Sequence, residues 1–138
     1  MRRLGGEFAN VGGSDYSYFE LFKRLWAEQK DFLIVEHDIV PNDAAIASLA
    51  RCNHLWCGCP YPISGQMAAY LGFTRFKAGL QRRVPNLLDR VAGLVMGDIR
   101  PHSWYRLDMS IAQILTQEEG CKMHIHTRHP VGHLKTYA

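Results

Sequence analysis

The sequence predicts a small α/β protein, because helical and strand-like segments alternate along a chain of 138 residues. Phe32–Val35 is a short apolar run that ends abruptly in charge, which is typical of a strand buried on both faces in a parallel sheet. Aromatic residues recur at helical spacing just before it. The length fits one domain with a hydrophobic core. We therefore expect a single domain over residues 1–138, with a mostly parallel sheet flanked by helices.

The first part of the chain predicts an arm, a helix, the strand and a second helix. Residues 1–15 are glycine-rich and predict an arm or a short strand. Ser17 and Glu20 fit a capping box at the start of a helix, which then leads into the strand. After the strand, Asn42 or Asp43 is positioned to cap the second helix.

The second part of the chain also predicts alternating helices and strands. Thr74 is positioned to cap a helix over residues 74–83, and Gly120 to end another helix over residues 104–119. Polar and apolar residues alternate from 121 to 127, which predicts a strand. The other expectations are a strand near residues 55–57, a loop at 60–65, a helical segment at 87–95 and a tail at 129–138.

Composition and charge narrow the class of protein. The formal net charge of +3 is too small to argue for nucleic acid as a partner, although a basic interaction protein stays an alternative. No apolar run approaches the ~20 residues that span a bilayer. The first residues lack the apolar stretch of a secretory signal. We therefore expect a cytoplasmic protein without a membrane span and with reduced cysteines.

Two carboxylates flank a histidine where the first predicted strand ends. Glu36 and Asp38 are two residues apart, so on extended backbone their side chains project to the same face. Acidic residues at the carboxyl end of such a strand lie where open α/β sheets bind ligands. Oxygen ligands suit a hard divalent cation that is shared with phosphates. The pattern predicts a cation site, with solvated charges at a strand end as the alternative.

Histidines near the end of the chain extend this prediction. His124 and His126 share one face of the predicted last strand, and either offers an imidazole to a metal. His129 and His133 follow, so a histidine-rich surface tail is the alternative. Carboxylates and an imidazole from distant segments would together form a cation site.

The cysteines allow a second kind of metal site. Cys52, Cys57 and Cys59 are close in sequence, with His54 between the first two. Structural zinc sites usually pair two such knuckles, and the sequence has no second one. We therefore expect buried cysteines that act as small apolar side chains. Zinc held by the cysteines or by the histidine tail is the alternative, and it would make the chain a non-catalytic module.

The order of these segments resembles the GT-A-fold glycosyltransferases, in particular their family-2-like nucleotide-sugar transferases. Glu36-His37-Asp38 is similar to the D-x-D region of that family, with glutamate in the first position. Asp108, before a helix that ends at Gly120, resembles the family's acid at a helix start, although the preceding glutamate is missing. His124 and His126 fall where a metal-binding histidine is expected. Residues 56–61 resemble the acceptor-side loop, residues 71–76 resemble a short motif before a helix, and the resemblance extends over about residues 16–126.

The resemblance implies a minimal GT-A-like fold that is truncated at the N-terminus. In the family, a half of alternating strands and helices before the D-x-D region binds the nucleotide base. Here 35 residues precede Glu36, enough for one strand and one helix. The half that binds the base is therefore expected to be shortened, lost or supplied by another subunit, which makes a homo-oligomer a hypothesis.

The resemblance also implies a chemistry. A Mn²⁺ or Mg²⁺ ion would be held by Asp38, by Glu36 directly or through water, and by His124 or His126. It would neutralise the diphosphate of a UDP- or GDP-sugar donor. Asp108 would act as the base that deprotonates a hydroxyl of a glycan or another acceptor, with inversion at the sugar carbon. The aromatic residues expected to provide faces for sugar rings are Trp56, Tyr61, Trp104 and Tyr105.

Overall fold

The computed structural model describes residues 8–10, 16–94 and 107–134. The chain divides into two compact units, Met1–Lys30 with Gln81–Cys121 and Asp31–Leu80 with Lys122–Ala138. The described strands all lie in the second unit, and the expected α/β class is confirmed. The elements in chain order are α1 Ser17–Glu28, β1 Phe32–Val35, β2 Ile39–Val40, α2 Asp43–Arg51, β3 Trp56–Gly58, β4 Tyr61–Ile63, β5 Gln66–Ala68, β6 Phe73–Phe76, α3 Ala78–Arg83, α4 Leu87–Gly93, α5 Leu107–Gln113, a π-helical turn Ile114–Glu118, β7 His124–Ile125 and β8 Gly132–His133.

In the first unit, α1 buries an aromatic stripe at helical spacing, as the sequence predicts. Trp26 anchors the stripe, because its indole Nε1 donates a hydrogen bond to the Val84 carbonyl at 2.8 Å. Tyr16, rather than Ser17, occupies the N-cap position. The predicted capping box is therefore wrong, since it needs Ser17 in that position. The buried side chains of α1 are Tyr18, Phe19, Phe22 and Trp26.

The other helices of the first unit pack through α4, which contacts both α1 and α5. Arg90 of α4 contacts Glu118 at 3.1 Å and Glu119 at 2.7 Å. These hydrogen bonds raise the pKa of the Arg90 guanidinium. Gly120 follows the π-helical turn with φ of 66°, in agreement with its predicted role at a helix end. No helix of the described residues is long and apolar enough to cross a membrane.

In the second unit, the main sheet has the strand order β1-β6-β3-β7. Strand β6 is antiparallel to both β1 and β3, and β3 is parallel to β7. The prediction of a mostly parallel sheet is therefore wrong for the described strands. Thr74 lies inside β6, so the helix predicted from this residue is also wrong, and α3 begins at Ala78.

Strand β1 lies at an edge of this sheet among the described residues. Ile34 is its one buried residue, and the other three are half-buried. The predicted burial on both faces is therefore wrong. An apolar run also suits an edge strand whose residues pack partly on a core, here by stacking of Phe32 on Phe76 at 5.4 Å.

Two smaller strand pairs complete the second unit. Strands β4 and β5 form a hairpin whose turn residues, Ser64 and Gly65, have φ of 50° and 78°. Such left-handed pairs favour tight hairpins, so the loop predicted at residues 60–65 is instead a strand and a turn. Strand β2 pairs with β8 in antiparallel orientation, which fixes the end of the described chain against the segment after β1.

The core of the second unit lies between α2 and the sheet. Asn42 caps α2, because its Oδ1 accepts a hydrogen bond from the Ala45 amide at 2.8 Å, as predicted. Burial raises the pKa of the Cys57 thiol to about 12 and that of the Cys59 thiol to about 11, so both stay protonated at neutral pH. Both behave as small apolar side chains, as expected. The core residues are Ile39, Ala45, Leu49, Cys52, Cys57, Cys59, Tyr61, Phe73 and Val131.

Candidate functional site

The chain turns immediately after β1, where the two predicted carboxylates lie. The Ile39 amide donates to the Glu36 carbonyl at 3.0 Å, which closes a turn over His37 and Asp38. The backbone is therefore not extended here, so a spacing of two residues does not place both carboxylates on one face. The Glu36 amide donates to the Gly72 carbonyl at 2.9 Å, so Glu36 is still held beside the strand partner of β1.

Within this turn, the Asp38 carboxylate contacts the imidazole of His133. Asp38 Oδ2 lies 3.1 Å from His133 Nε2, and His133 Nδ1 lies 2.8 Å from the Pro62 carbonyl oxygen. A carbonyl only accepts hydrogen bonds, so this contact assigns the ring hydrogen to Nδ1. In the neutral ring, Nε2 then directs a lone pair at the carboxylate. The contact is favourable only when a proton or a cation lies between the two atoms.

The Asp38 and His133 side chains are both largely buried, so their contact needs favourable geometry to offset the loss of hydration. The side chains of His133 and Asp38 are 6% and 12% exposed. Withdrawing a charged pair from water costs several kcal/mol per ion, roughly, unless the geometry compensates. The backbone supplies that geometry, because Ile39 is in register with His133 across β2 and β8. The Leu134 amide also donates to the Asp38 carbonyl at 2.7 Å.

Tyr61 adjoins this pair, and Glu36 lies near Tyr61 at Gly72. The Tyr61 hydroxyl accepts a hydrogen bond from the Gly72 amide at 3.1 Å. A Cβ atom at Gly72 would lie 2.5 Å from the Tyr61 hydroxyl oxygen and 3.1 Å from Glu36 Oε1. The Tyr61 ring is also edge-on to His133, with centroids 5.3 Å apart. We call Glu36, Asp38, Tyr61 and His133 the Asp38–His133 cluster.

Trp56 and Tyr61, two of the four aromatic residues predicted to provide faces for sugar rings, are buried. Trp56 is 3% exposed, donates through Nε1 to Thr74 Oγ1 at 3.1 Å and stacks on Phe76. It therefore packs in the core and does not present a face to a sugar ring, which corrects its predicted role. Tyr61 is buried as well, and its ring contacts His133 while its hydroxyl accepts from the Gly72 amide. Trp104 and Tyr105 lie outside the described residues.

The predicted base, Asp108, lies in the first unit, in the first turn of α5. Its Oδ1 accepts a hydrogen bond from the Met109 amide at 2.7 Å. A carboxylate in a first turn interacts favourably with the helix dipole, so this position also gives Asp108 a structural role. Its action as a base stays a prediction.

The predicted metal ligands separate into two groups. Cys52, His124 and His126 each offer a ligand atom, and these atoms lie within 4.8 Å of one another. Among the described residues, no such group of three combines either histidine with Glu36 or Asp38. The predicted set of Glu36, Asp38, His124 and His126 is therefore not brought together.

The histidine in contact with Asp38 is His133, not His124 or His126. The sequence marks it only as part of a histidine-rich tail, because β8 is two residues long and too short to show alternation. The available signal is the apolar pair Ile39-Val40, which follows the carboxylates and provides a strand for β8 to join.

Comparisons of the chain with protein-family models, with curated proteins and with solved structures found no match.

Proposed function

We propose that this chain is a metal-dependent glycosyltransferase, which moves a sugar from a nucleotide-diphosphate donor to an acceptor hydroxyl. The observation that carries the proposal is the 3.1 Å contact between Asp38 and His133. Asp38 belongs to the segment that resembles a D-x-D region, and the resemblance implies a metal-binding histidine from later in the chain. His133 fills that role in place of His124 or His126.

The separation of the two atoms suits a shared cation. Adjacent ligands of an octahedral ion lie about 3.0 Å apart when each is about 2.1 Å from the metal. The 3.1 Å between Asp38 Oδ2 and His133 Nε2 matches this separation. The hydrogen bond from His133 Nδ1 to the Pro62 carbonyl is the kind that orients a metal-bound imidazole. The nitrogen ligand favours Mn²⁺ over Mg²⁺, because Mg²⁺ prefers oxygen.

The residues of the cluster then have distinct roles. Asp38 and His133 supply two ligands and leave the other coordination positions to water and to diphosphate oxygens. The bound cation supplies positive charge that stabilises the leaving nucleoside diphosphate. Glu36 lies beside Gly72, and its carboxylate does not form a group of three ligands with Asp38 and His133 among the described residues. Its part in the proposal is therefore a contact with the cation through water.

The remaining parts of the proposal come from the sequence. They are the UDP- or GDP-sugar as donor, a glycan or another hydroxyl compound as acceptor, Asp108 as base and a homo-oligomer that completes the pocket for the nucleotide base. A zinc-binding module is the alternative, and the group that supports it is Cys52 with His124 and His126.

Nucleotide titration tests the proposal. We expect UDP or GDP to bind the wild-type chain in the presence of Mn²⁺ and to bind at least about 10-fold more weakly in Asp38→Asn, because the variant loses an anionic ligand. Calorimetry with and without Mn²⁺ measures both affinities. Asp89→Asn is the matched control, since Asp89 is an exposed carboxylate of α4 in the first unit.

Two results would contradict the proposal. One is the lack of Mn²⁺-dependent binding of either nucleotide to the wild-type chain. The other is equal Mn²⁺-dependent binding in the wild type and in an Asp38→Asn protein whose circular dichroism shows that it is folded.

A further inference from the structure

We propose a second metal site, selective for zinc and similar transition-metal ions, formed by Cys52 Sγ and one ring nitrogen each of His124 and His126. The three ligand atoms lie within 4.8 Å of one another. In tetrahedral zinc sites, sulfur and nitrogen ligands lie about 3.6 Å apart and two nitrogens about 3.3 Å apart. Small side-chain rotations therefore close the site. It shares no residue with the Asp38–His133 cluster and does not depend on the proposed glycosyl transfer.

His126 has a ring nitrogen that lacks a partner. Its Nε2 is buried and makes no hydrogen bond. A buried polar atom without a partner is unfavourable, and such atoms are rare in folded proteins. Coordination of a metal would satisfy this atom.

His124 is held in place by both backbone and ring contacts. It lies in β7, in parallel register with Cys57 of β3. Its imidazole stacks on that of His54, with centroids 3.9 Å apart and planes 15° apart. The side chain is also exposed, which gives a metal ion a path into the site.

Cys52 presents its sulfur from a fixed loop. The residue is buried and ends α2. Arg75 Nη2 donates to the Cys52 carbonyl at 2.6 Å and to the His54 carbonyl at 3.1 Å. These two hydrogen bonds hold the backbone that carries the Cys52 side chain.

The donor set indicates which ions bind. One thiolate and two imidazoles suit Zn²⁺ or Co²⁺ and disfavour Mg²⁺ and Ca²⁺, which require oxygen. Three protein ligands leave a fourth position for water, as in zinc sites that exchange or activate a ligand. The bound ion would also tie the β7 segment to the loop after α2.

Titration with Co²⁺ under reducing conditions tests the site, because four-coordinate Co²⁺ has visible bands and a thiolate ligand adds a charge-transfer band. We expect one Co²⁺ per chain, both kinds of band, and displacement by Zn²⁺. Cys52→Ser should remove the charge-transfer band, and His126→Gln should weaken binding by at least about 100-fold. His124→Gln tests the site without disturbing the core, because His124 is exposed.

Matched controls separate this site from other ligands. Cys121→Ser and His129→Gln should keep the spectrum, since neither residue belongs to the group. Visible bands without a charge-transfer band, or an unchanged spectrum in Cys52→Ser and His124→Gln, would overturn the proposal. Asp38→Asn should keep the cobalt bands, and Cys52→Ser should keep the Mn²⁺-dependent binding of nucleotide, so each proposal can fail without the other.

Discussion

Gly72 is the residue that allows the Asp38–His133 cluster to pack closely. An added Cβ would lie 2.5 Å from the Tyr61 hydroxyl oxygen and 3.1 Å from Glu36 Oε1. We therefore expect Gly72→Ala to lower the free energy of unfolding by about 1–3 kcal/mol, because Tyr61 has to shift within a packed core. Urea unfolding measures this change, and weaker Mn²⁺-dependent binding of nucleotide should accompany it.

Gly93 provides the control for this substitution. A Cβ at Gly93 would meet no atom within 4 Å, and the residue ends α4 without a positive φ. Gly93→Ala should therefore leave stability unchanged or raise it by up to about 1 kcal/mol, because alanine restricts the unfolded chain. Equal effects of the two substitutions would show that space at Gly72 does not matter.

For single residues, the sequence predicts the residue types of the candidate site better than it predicts which of them are in contact. Asp38 and His133 are 95 positions apart, and no periodicity within either segment indicates that they touch. Glu36 and Asp38 are predicted correctly as a pair at a strand end. Their shared face is not, because the chain turns between them and the two-residue alternation of a strand no longer holds.

Helix α2 depends on Asn42 at two points. The Asn42 Oδ1 accepts from the Ala45 amide, and its Nδ2 donates to the Pro130 carbonyl at 3.0 Å. Asn42→Ala removes both hydrogen bonds, so we expect a loss of about 1–2 kcal/mol in the free energy of unfolding. Chemical denaturation measures the loss.

Asn42→Asp separates the two contacts. Aspartate keeps the oxygen that caps the helix, but it has no hydrogen to donate to Pro130. It should retain most of the stability of the wild type, since aspartate and asparagine are similar N-caps. A loss as large as that of Asn42→Ala would show that the contact with Pro130, rather than the cap, stabilises this region.

Helices are predicted more reliably than strands in this chain. The aromatic stripe of α1 and the cap of α2 are local features, so the sequence contains them directly. The direction of strand pairing is not local, because the same apolar run suits a parallel strand or an antiparallel edge strand. Thr74 shows the same limit, since a cap-forming residue is also a good strand residue when its hydroxyl donates to the Cys57 carbonyl at 2.9 Å.

For the whole molecule, the alternation of helical and strand-like segments is enough to predict the α/β class, and the structure confirms this class. The histidines and cysteines fall into two groups only in three dimensions. We propose that the Asp38–His133 cluster binds a divalent cation and that the Cys52 group binds zinc. The central claim is that His133, rather than His124 or His126, supplies nitrogen to the catalytic cation.

Pulsed electron paramagnetic resonance of bound Mn²⁺ tests this claim most directly, because it detects a nitrogen nucleus coupled to the metal. The measurement is made in a His126→Gln background. This substitution weakens binding by the Cys52 group, so that Mn²⁺ bound there does not add its own nitrogen coupling. We predict a nitrogen coupling in this background that disappears when His133→Gln is added. A coupling that persists in the double variant, or Mn²⁺ bound without any nitrogen coupling, would contradict the account.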